Sequence, residues 1–231
     1  MIGLLFIGCT EGPKKINKVA QPAITQTAEQ GKIAIVEKTI TAQEFGNAIA
    51  SYQNPITRDT IKFMSVNGKT TLPLKNGTKV FTDNKGVPYD EDMVSYNYRG
   101  QFKSINSYVV EVHLYEDSFF LLINNITGKQ DTVNGYPHLS KDHQRIFSSQ
   151  YNPYETYDSI PPPTQDVECY AVNANGIKLI DRKPFKFFIS QAFWKDKNTI
   201  YIQTASDQEK ADFSYRKLEL TSSNHDAKKK R

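Results

Sequence analysis

The chain has 231 residues, with 38% hydrophobic and 23% charged side chains and a formal net charge of +4. These are values of a globular protein, and they exclude a wholly disordered chain and a bundle of membrane-spanning helices. Tyrosine and phenylalanine occur 13 times each, and aromatic and β-branched residues favour strands over helices. We interpret the basic tail at 223–231 as a solvated end, so no nucleic-acid partner is expected.

The first nine residues combine an apolar stretch, Met1 to Ile7, with Gly8 and Cys9. Such a stretch is too short to cross a bilayer. The pattern resembles the lipobox of bacterial lipoproteins, in which a small residue precedes the cleavage site and the cysteine is acylated. The resemblance implies a signal segment at 1–9, a lipid on Cys9 and attachment to a membrane. A short buried strand or helical turn that begins the chain is the alternative.

Residues 10–31 lack aromatic side chains and contain Pro13 and Pro22. Such a composition buries too little apolar surface to order a chain and predicts a flexible tether. The surface-exported lipoproteins of Bacteroidota resemble one another in an acidic cluster soon after the cysteine. Here Glu11 is isolated and Lys14 follows it. The resemblance therefore implies an outer-membrane lipoprotein and favours the periplasmic face over the cell surface. A β-rich domain is expected over 32–222.

The sequence predicts one helix, which begins near Thr41. Thr41 and Glu44 match a capping box, in which the glutamate side chain returns to the N-cap residue. Asn54–Pro55 ends the helix. Apolar residues recur between these signals at spacings of three and four, and we expect them to pack on a sheet. They are Phe45, Ala48, Ile49 and Tyr52.

Two pairs of turn residues follow the helix. Asn67–Gly68 and Asn76–Gly77 predict type I′ hairpin turns, because both central positions of that turn have positive φ. The first pair would join a strand at 61–66 to one at 70–74, and the second would lead into a strand at 78–81.

A strand-and-turn pattern begins at Phe119–Asn124 and recurs between Val167 and Leu220. Lys141–Asp142 and Lys195–Asp196 occupy matching places in the two units, about fifty residues apart, which is typical of propeller blades. The pattern resembles the short propeller-like β-domains of bacterial envelope proteins.

The predicted fold class is all-β: an antiparallel meander with propeller-like blades and one short N-terminal helix. A closed propeller needs at least four blades, and about 160 residues are marginal for that number. We therefore expect two or three blades, or a twisted sandwich of meanders.

Two groups of polar residues have side chains that bind metals in other proteins. His138–His143 contains two histidines, but its spacing matches no common ligand pattern, and Ser140 and Asp142 are typical of a turn. Asp90–Asp92, with Asp83 nearby, lacks the alternation and glycine of a calcium loop. We predict no metal site and no cofactor.

Two further features concern catalysis. Glu111 and Glu116 are an odd number of residues apart, so a continuous strand would direct them to opposite faces rather than into a carboxylate pair. Cys169 lies in an apolar strand, where a buried free thiol is expected. No catalytic residue is predicted.

Three tyrosines precede a run of prolines at 161–163. Tyrosines in a proline-stiffened loop provide contact area at low entropy cost. Tyr151, Tyr154 and Tyr157 are therefore the predicted partner-binding residues, although a loop packed on its own sheet would also explain them. The function expected is a non-catalytic accessory subunit of an outer-membrane or secretion assembly. The alternatives are an immunity-type inhibitor that captures a toxin and a glycan-processing enzyme.

Overall fold

The computed structural model describes residues 33–84, 91–156, 160–207 and 210–222. The predicted signal segment with Cys9, the tether and the basic tail lie outside the described residues, as does Tyr157. What the sequence predicts for them stays a prediction.

The first elements are strand β1 (Ile33–Thr39) and helix α1 (Ala42–Ala50). A 3-10 turn at Thr60–Phe63 then precedes a hairpin of β2 (Lys69–Leu74) and β3 (Gly77–Thr82). The strand predicted over 61–66 is therefore wrong. The tighter turn buries the Phe63 ring against the hairpin and leaves the side chains around it exposed.

The two predicted hairpin turns differ in type. Asn67 and Gly68 have φ of 51° and 71°, so the type I′ prediction is confirmed there. The second prediction is wrong, because Asn76 does not have positive φ. Leu74 pairs with Gly77, which makes Lys75 and Asn76 the central residues of that turn, and only Gly77 adopts positive φ.

Helix α1 begins as predicted. The Thr41 hydroxyl accepts a hydrogen bond from the Glu44 backbone N–H at 3.1 Å. The Glu44 carboxylate does not return to the N-cap and instead accepts from the Tyr201 hydroxyl at 2.5 Å. Phe45 is buried with its ring 5.3 Å from that of Phe193, so the packing of this face on a sheet is confirmed.

Apart from the β2–β3 hairpin, the strands form three four-stranded antiparallel sheets. In two of them neighbouring strands follow in chain order, and the third adds β1 to the edge of a three-stranded meander. Sheet I consists of β4 (Val94–Phe102), β5 (Ser107–Leu114), β6 (Ser118–Asn124) and β7 (Gln130–Val133). Sheet II consists of β8 (His138–Leu139), β9 (Arg145–Asn152), β10 (Thr164–Asn173) and β11 (Gly176–Phe185). Sheet III consists of β12 (Phe188–Trp194), β13 (Thr199–Ala205), β14 (Ser214–Ser222) and β1.

Sheet III joins the two ends of the described chain, because β1 pairs with β14 and places Ile35 opposite Leu220. The predicted equivalence of Lys141–Asp142 and Lys195–Asp196 is visible in the topology. Each pair lies in the turn between the first and second strands of its sheet, in sheets II and III.

The sheets pack as successive layers. One apolar cluster joins sheets III and II, and a second joins sheets II and I. Helix α1 covers the outer face of sheet III, and the β2–β3 hairpin covers the outer face of sheet I. The fold is all-β with one short helix, as predicted.

Candidate functional site

A groove of about 510 Å³ opens where sheets II and III end beside the loop before β14. Strands from both sheets contribute to its walls. The lining residues are Tyr151, Gln165, Phe188, Ile189, Ser190, Ala205, Asp207, Lys210, Ala211 and Phe213.

Aromatic side chains form much of the wall. Tyr151 near the end of β9 and Phe188 at the start of β12 have ring centroids 5.1 Å apart. Tyr151 lies on the same face of β9 as Phe147, because strand side chains alternate, and Phe147 belongs to the core between sheets II and III. Phe213, directly before β14, is exposed and also lines the groove. The groove thus continues the apolar core to the surface.

Polar groups lie among these rings. The pairing of β12 with β13 shifts register between Ile189 and Gln191, and Ser190 is the residue left unpaired. Such bulges redirect a side chain. The Ser190 hydroxyl lies 3.2 Å from the Gln203 carbonyl oxygen. Gln165 is buried in the floor, and Lys210 adds a cationic group.

The loop after Tyr151 is held by its own hydrogen bonds. The Asn152 side chain accepts from the backbone N–H of Glu155 at 2.9 Å and donates to the Glu155 carbonyl oxygen at 2.8 Å. Lys186 donates to the carbonyl oxygens of Pro161 and Pro163. Tyr154 is 84% exposed beside the groove without lining it.

The three predicted partner-binding residues therefore differ in their position relative to the groove. Tyr151 lines the groove, Tyr154 stands next to it, and Tyr157 lies outside the described residues. Phe188 and Phe213 were not predicted as site residues. Both stand at or next to the start of a strand and outside the tyrosine loop, so only the packing of sheets II and III brings them to Tyr151.

The histidine-containing segment forms a turn, as predicted. The Ser140 hydroxyl donates to Asp142 at 2.7 Å and accepts from the Arg145 backbone N–H at 2.9 Å. The two histidine side chains differ in surroundings. His143 is exposed, whereas the His138 ring packs 5.1 Å from Tyr136, and burial lowers the pKa of His138 to about 4.

The acidic residues that the sequence singled out are held apart. Asp83 accepts from the Tyr96 backbone N–H at 2.9 Å, and Asp90 lies outside the described residues. Glu111 forms an ion pair with Arg99, and its carboxylate lies 3.0 Å from His113 Nε2. Glu116 lies in the turn after β5. In the described ranges no group of three histidine, cysteine or acidic side chains is placed to hold a metal ion.

A buried charged network between sheets I and II was not predicted. Glu168 forms an ion pair with Arg182 and accepts hydrogen bonds from the Asn134 side chain at 3.1 Å and from the Tyr170 hydroxyl. Burial and the Glu168 charge raise the pKa of Tyr170. The available signal was the acidic residue in the otherwise apolar run Val167–Val172. Cys169 beside it is a buried free thiol, as predicted.

The fold and the groove define an all-β meander protein with an aromatic surface groove. Comparison with protein-family models, curated proteins and solved structures finds no match. Over the ranges that the structure describes, no helix has the length and apolar character needed to cross a membrane.

Proposed function

We propose that this chain is a lipid-anchored, non-catalytic protein of the bacterial cell envelope that binds a partner protein through the aromatic groove. The observation that carries the proposal is the groove itself, in which Tyr151, Phe188 and Phe213 surround a few polar groups. Binding sites combine apolar and aromatic walls with a small number of polar groups that fix orientation.

The open form of the groove favours a protein segment as the ligand. Its walls come from two sheets and one loop, so an extended segment can place an apolar side chain between Tyr151 and Phe213. Gln165 and Ser190 offer hydrogen bonds to the backbone of such a segment. Tyrosine and phenylalanine contribute a large contact area with few rotatable bonds, which lowers the entropy cost of binding.

The anchor is supported by the sequence alone, through the likeness of Gly8 and Cys9 to a lipobox. An outer-membrane address and a role as an accessory subunit of an envelope assembly follow from that likeness.

One experiment has two arms. In the first, the full-length chain and its Cys9→Ser variant are expressed in a bacterial host and compared by intact mass and membrane fractionation. We expect the wild type to be cleaved before Cys9, acylated and membrane-bound, and the variant to lack all three properties. An identical unmodified mass in both would refute the anchor.

In the second arm, a displayed peptide library is selected on the Cys9→Ser chain, and affinities are measured by calorimetry. We expect the selected peptides to carry an apolar side chain. The Tyr151→Ala variant should bind these peptides with an affinity about tenfold lower. Tyr115→Ala is the matched control, because Tyr115 is 39% exposed and Tyr151 is 36% exposed. Equal effects of the two substitutions, or glycan cleavage that depends on single acidic residues, would overturn the binding proposal.

A further inference from the structure

The segment after α1 presents apolar side chains to solvent at a second place, far in sequence from the groove. Ile61 is 86% exposed, and Met64 and Val66 are each 65% exposed. Side chains three residues apart eclipse one another in 3-10 geometry, which places Ile61 and Met64 on one side. The Met64 backbone is extended, so Val66, two residues later, returns to that side. We call these three residues the apolar ridge.

Two residues, one before the ridge and one within it, hold this segment against sheet I. The Phe63 ring packs 5.0 Å from Tyr98 and 5.7 Å from Tyr108. Asp59, at the start of the turn, accepts hydrogen bonds at 2.7 Å from the Tyr98 hydroxyl and the Gln101 side chain. The exposure of the ridge is therefore a fixed property of this surface.

The charge around the ridge is positive. Residues 56–83 contain five cationic and two acidic residues, a net charge of +3. Both acids are turned inward, Asp59 as above and Asp83 toward the Tyr96 backbone N–H. Within the described chain, none of the five cations forms an ion pair with an acid. They are Arg58, Lys62, Lys69, Lys75 and Lys79.

One acid of sheet I lies beside the segment, because Glu111 is the cross-strand partner of Asn97. Asn97 lines a hollow together with Ile61 and Met64. The charge of Glu111 is paired with Arg99.

Two further acids lie at one end of the segment. Glu91 and Asp92 precede β4 next to Val94, which bridges Asn84. The start of the segment lies at the other end of the same strand, where Thr57 bridges Gln101. Arg58 and Lys62, the cations nearest to Ile61, thus belong to the end away from these acids.

We propose that the apolar ridge and its cations rest on the surface of an anionic phospholipid bilayer. Exposed apolar side chains enter the boundary between headgroups and acyl chains, while neighbouring lysine and arginine contact the anionic headgroups. The hollow beside the ridge measures only about 170 Å³, less than the roughly 300 Å³ at the lower end of ligand pockets. The surface therefore projects side chains rather than receiving them. This inference does not depend on the lipid at Cys9.

The test measures sedimentation of the full-length Cys9→Ser chain with vesicles. One set contains equal parts of phosphatidylethanolamine and phosphatidylglycerol, and the other contains phosphatidylcholine alone. We expect binding to the anionic vesicles that weakens as salt is added, because exposed charges are screened. The double variant Ile61→Ser/Met64→Ser should bind at least about tenfold more weakly, since both side chains lose their apolar contacts.

The matched control is Tyr154→Ser, which removes another highly exposed apolar side chain away from the ridge. It should bind as the parent chain does. Equal binding to both kinds of vesicle, no binding to either, or unchanged binding by the double variant would overturn the inference. Unchanged binding would assign the membrane contact to the N-terminal segment or the basic tail. Sedimentation velocity tests one further contrary outcome. If the parent chain is a dimer and the double variant is a monomer, the ridge is an interface between two copies.

Discussion

The two faces of sheet II meet their neighbours with different chemistry, and adjacent residues of β10 display the difference. Cys169 faces sheet III, in a cluster that includes Phe147 and Trp194. Glu168 points to the opposite side and is buried at the interface with sheet I. One strand therefore contributes an apolar side chain to one interface and a charge to the other, through alternation alone.

Burial therefore has different requirements at the two interfaces. The interface with sheet III needs apolar volume, and its stability depends on close packing. The interface with sheet I contains a carboxylate that must keep its ion pair and hydrogen bonds, because a buried charge without them is very costly. Substitutions at the two interfaces should therefore differ in size and in pH dependence.

The largest effect is expected at Glu168. Glu168→Leu removes the carboxylate to which Arg182, Asn134 and Tyr170 are bonded and should lower the free energy of unfolding by about 3 kcal/mol. Urea unfolding at pH 7 measures the change. A second substitution, Arg182→Met, should recover part of the loss, because a buried ion pair can be replaced by apolar side chains at little cost.

The control for Glu168 is an ion pair nearer to the surface. Glu37 pairs with Arg216 on sheet III, and both side chains are more exposed than Glu168. Glu37→Leu should cost no more than about 1 kcal/mol, since exposed pairs contribute little. A loss as large as that of Glu168→Leu would show that burial does not distinguish the two pairs.

Local rules were sufficient for much of the fold. The capping residue Thr41, the helical spacing after it and the I′ signal at Asn67–Gly68 each depend on a few neighbouring residues, and the structure confirms them. The strand-and-turn pattern from Phe119 onward likewise indicated the meander strands. The prediction failed at 61–66, where burial of Phe63 against Tyr98 and Tyr108 selects a 3-10 turn over a strand.

The groove and the buried network could not be derived in the same way. Tyr151 meets Phe188, and Glu168 meets Asn134, across different sheets and over 34 residues or more of chain. Such contacts depend on how sheets stack, which no local pattern encodes. The tyrosine loop was found because its composition is unusual, whereas the phenylalanines that complete the groove resemble ordinary strand residues.

A second effect, confined to acid pH, concerns His138. His138 pairs with Phe147 across β8 and β9, and its burial lowers the folded-state pKa from 6.5 to about 4. The folded protein therefore binds this proton less well than the unfolded chain. The contribution of the neutral His138 ring to the free energy of unfolding is fully present above pH 6.5 and is lost as the pH falls toward 4. The loss amounts to about 3 kcal/mol at most.

Urea unfolding between pH 4 and pH 7 measures how the free energy of unfolding changes with pH. His138→Phe keeps an aromatic ring between Tyr136 and Phe147 and keeps the backbone carbonyl that accepts from Trp194. The variant should show a shallower fall in stability toward acid, whatever its stability at pH 7. Parallel curves for the two proteins would mean that His138 does not remain neutral in the folded state.

The smallest effects are expected from adding or removing a single hydroxyl group on either face of sheet II. Cys169→Ser places a hydroxyl in the apolar interface with sheet III and should cost about 2 kcal/mol, because the new group must leave water. Ser148 pairs with Glu168 across β9 and β10, on the face of sheet II that is turned toward sheet I. Its buried hydroxyl has no hydrogen-bond partner among the described residues. Ser148→Ala should therefore cost less than about 1 kcal/mol. Equal losses in urea unfolding would mean that both interfaces tolerate polar atoms alike, and the contrast between Glu168 and Cys169 would then reflect only the ion pair.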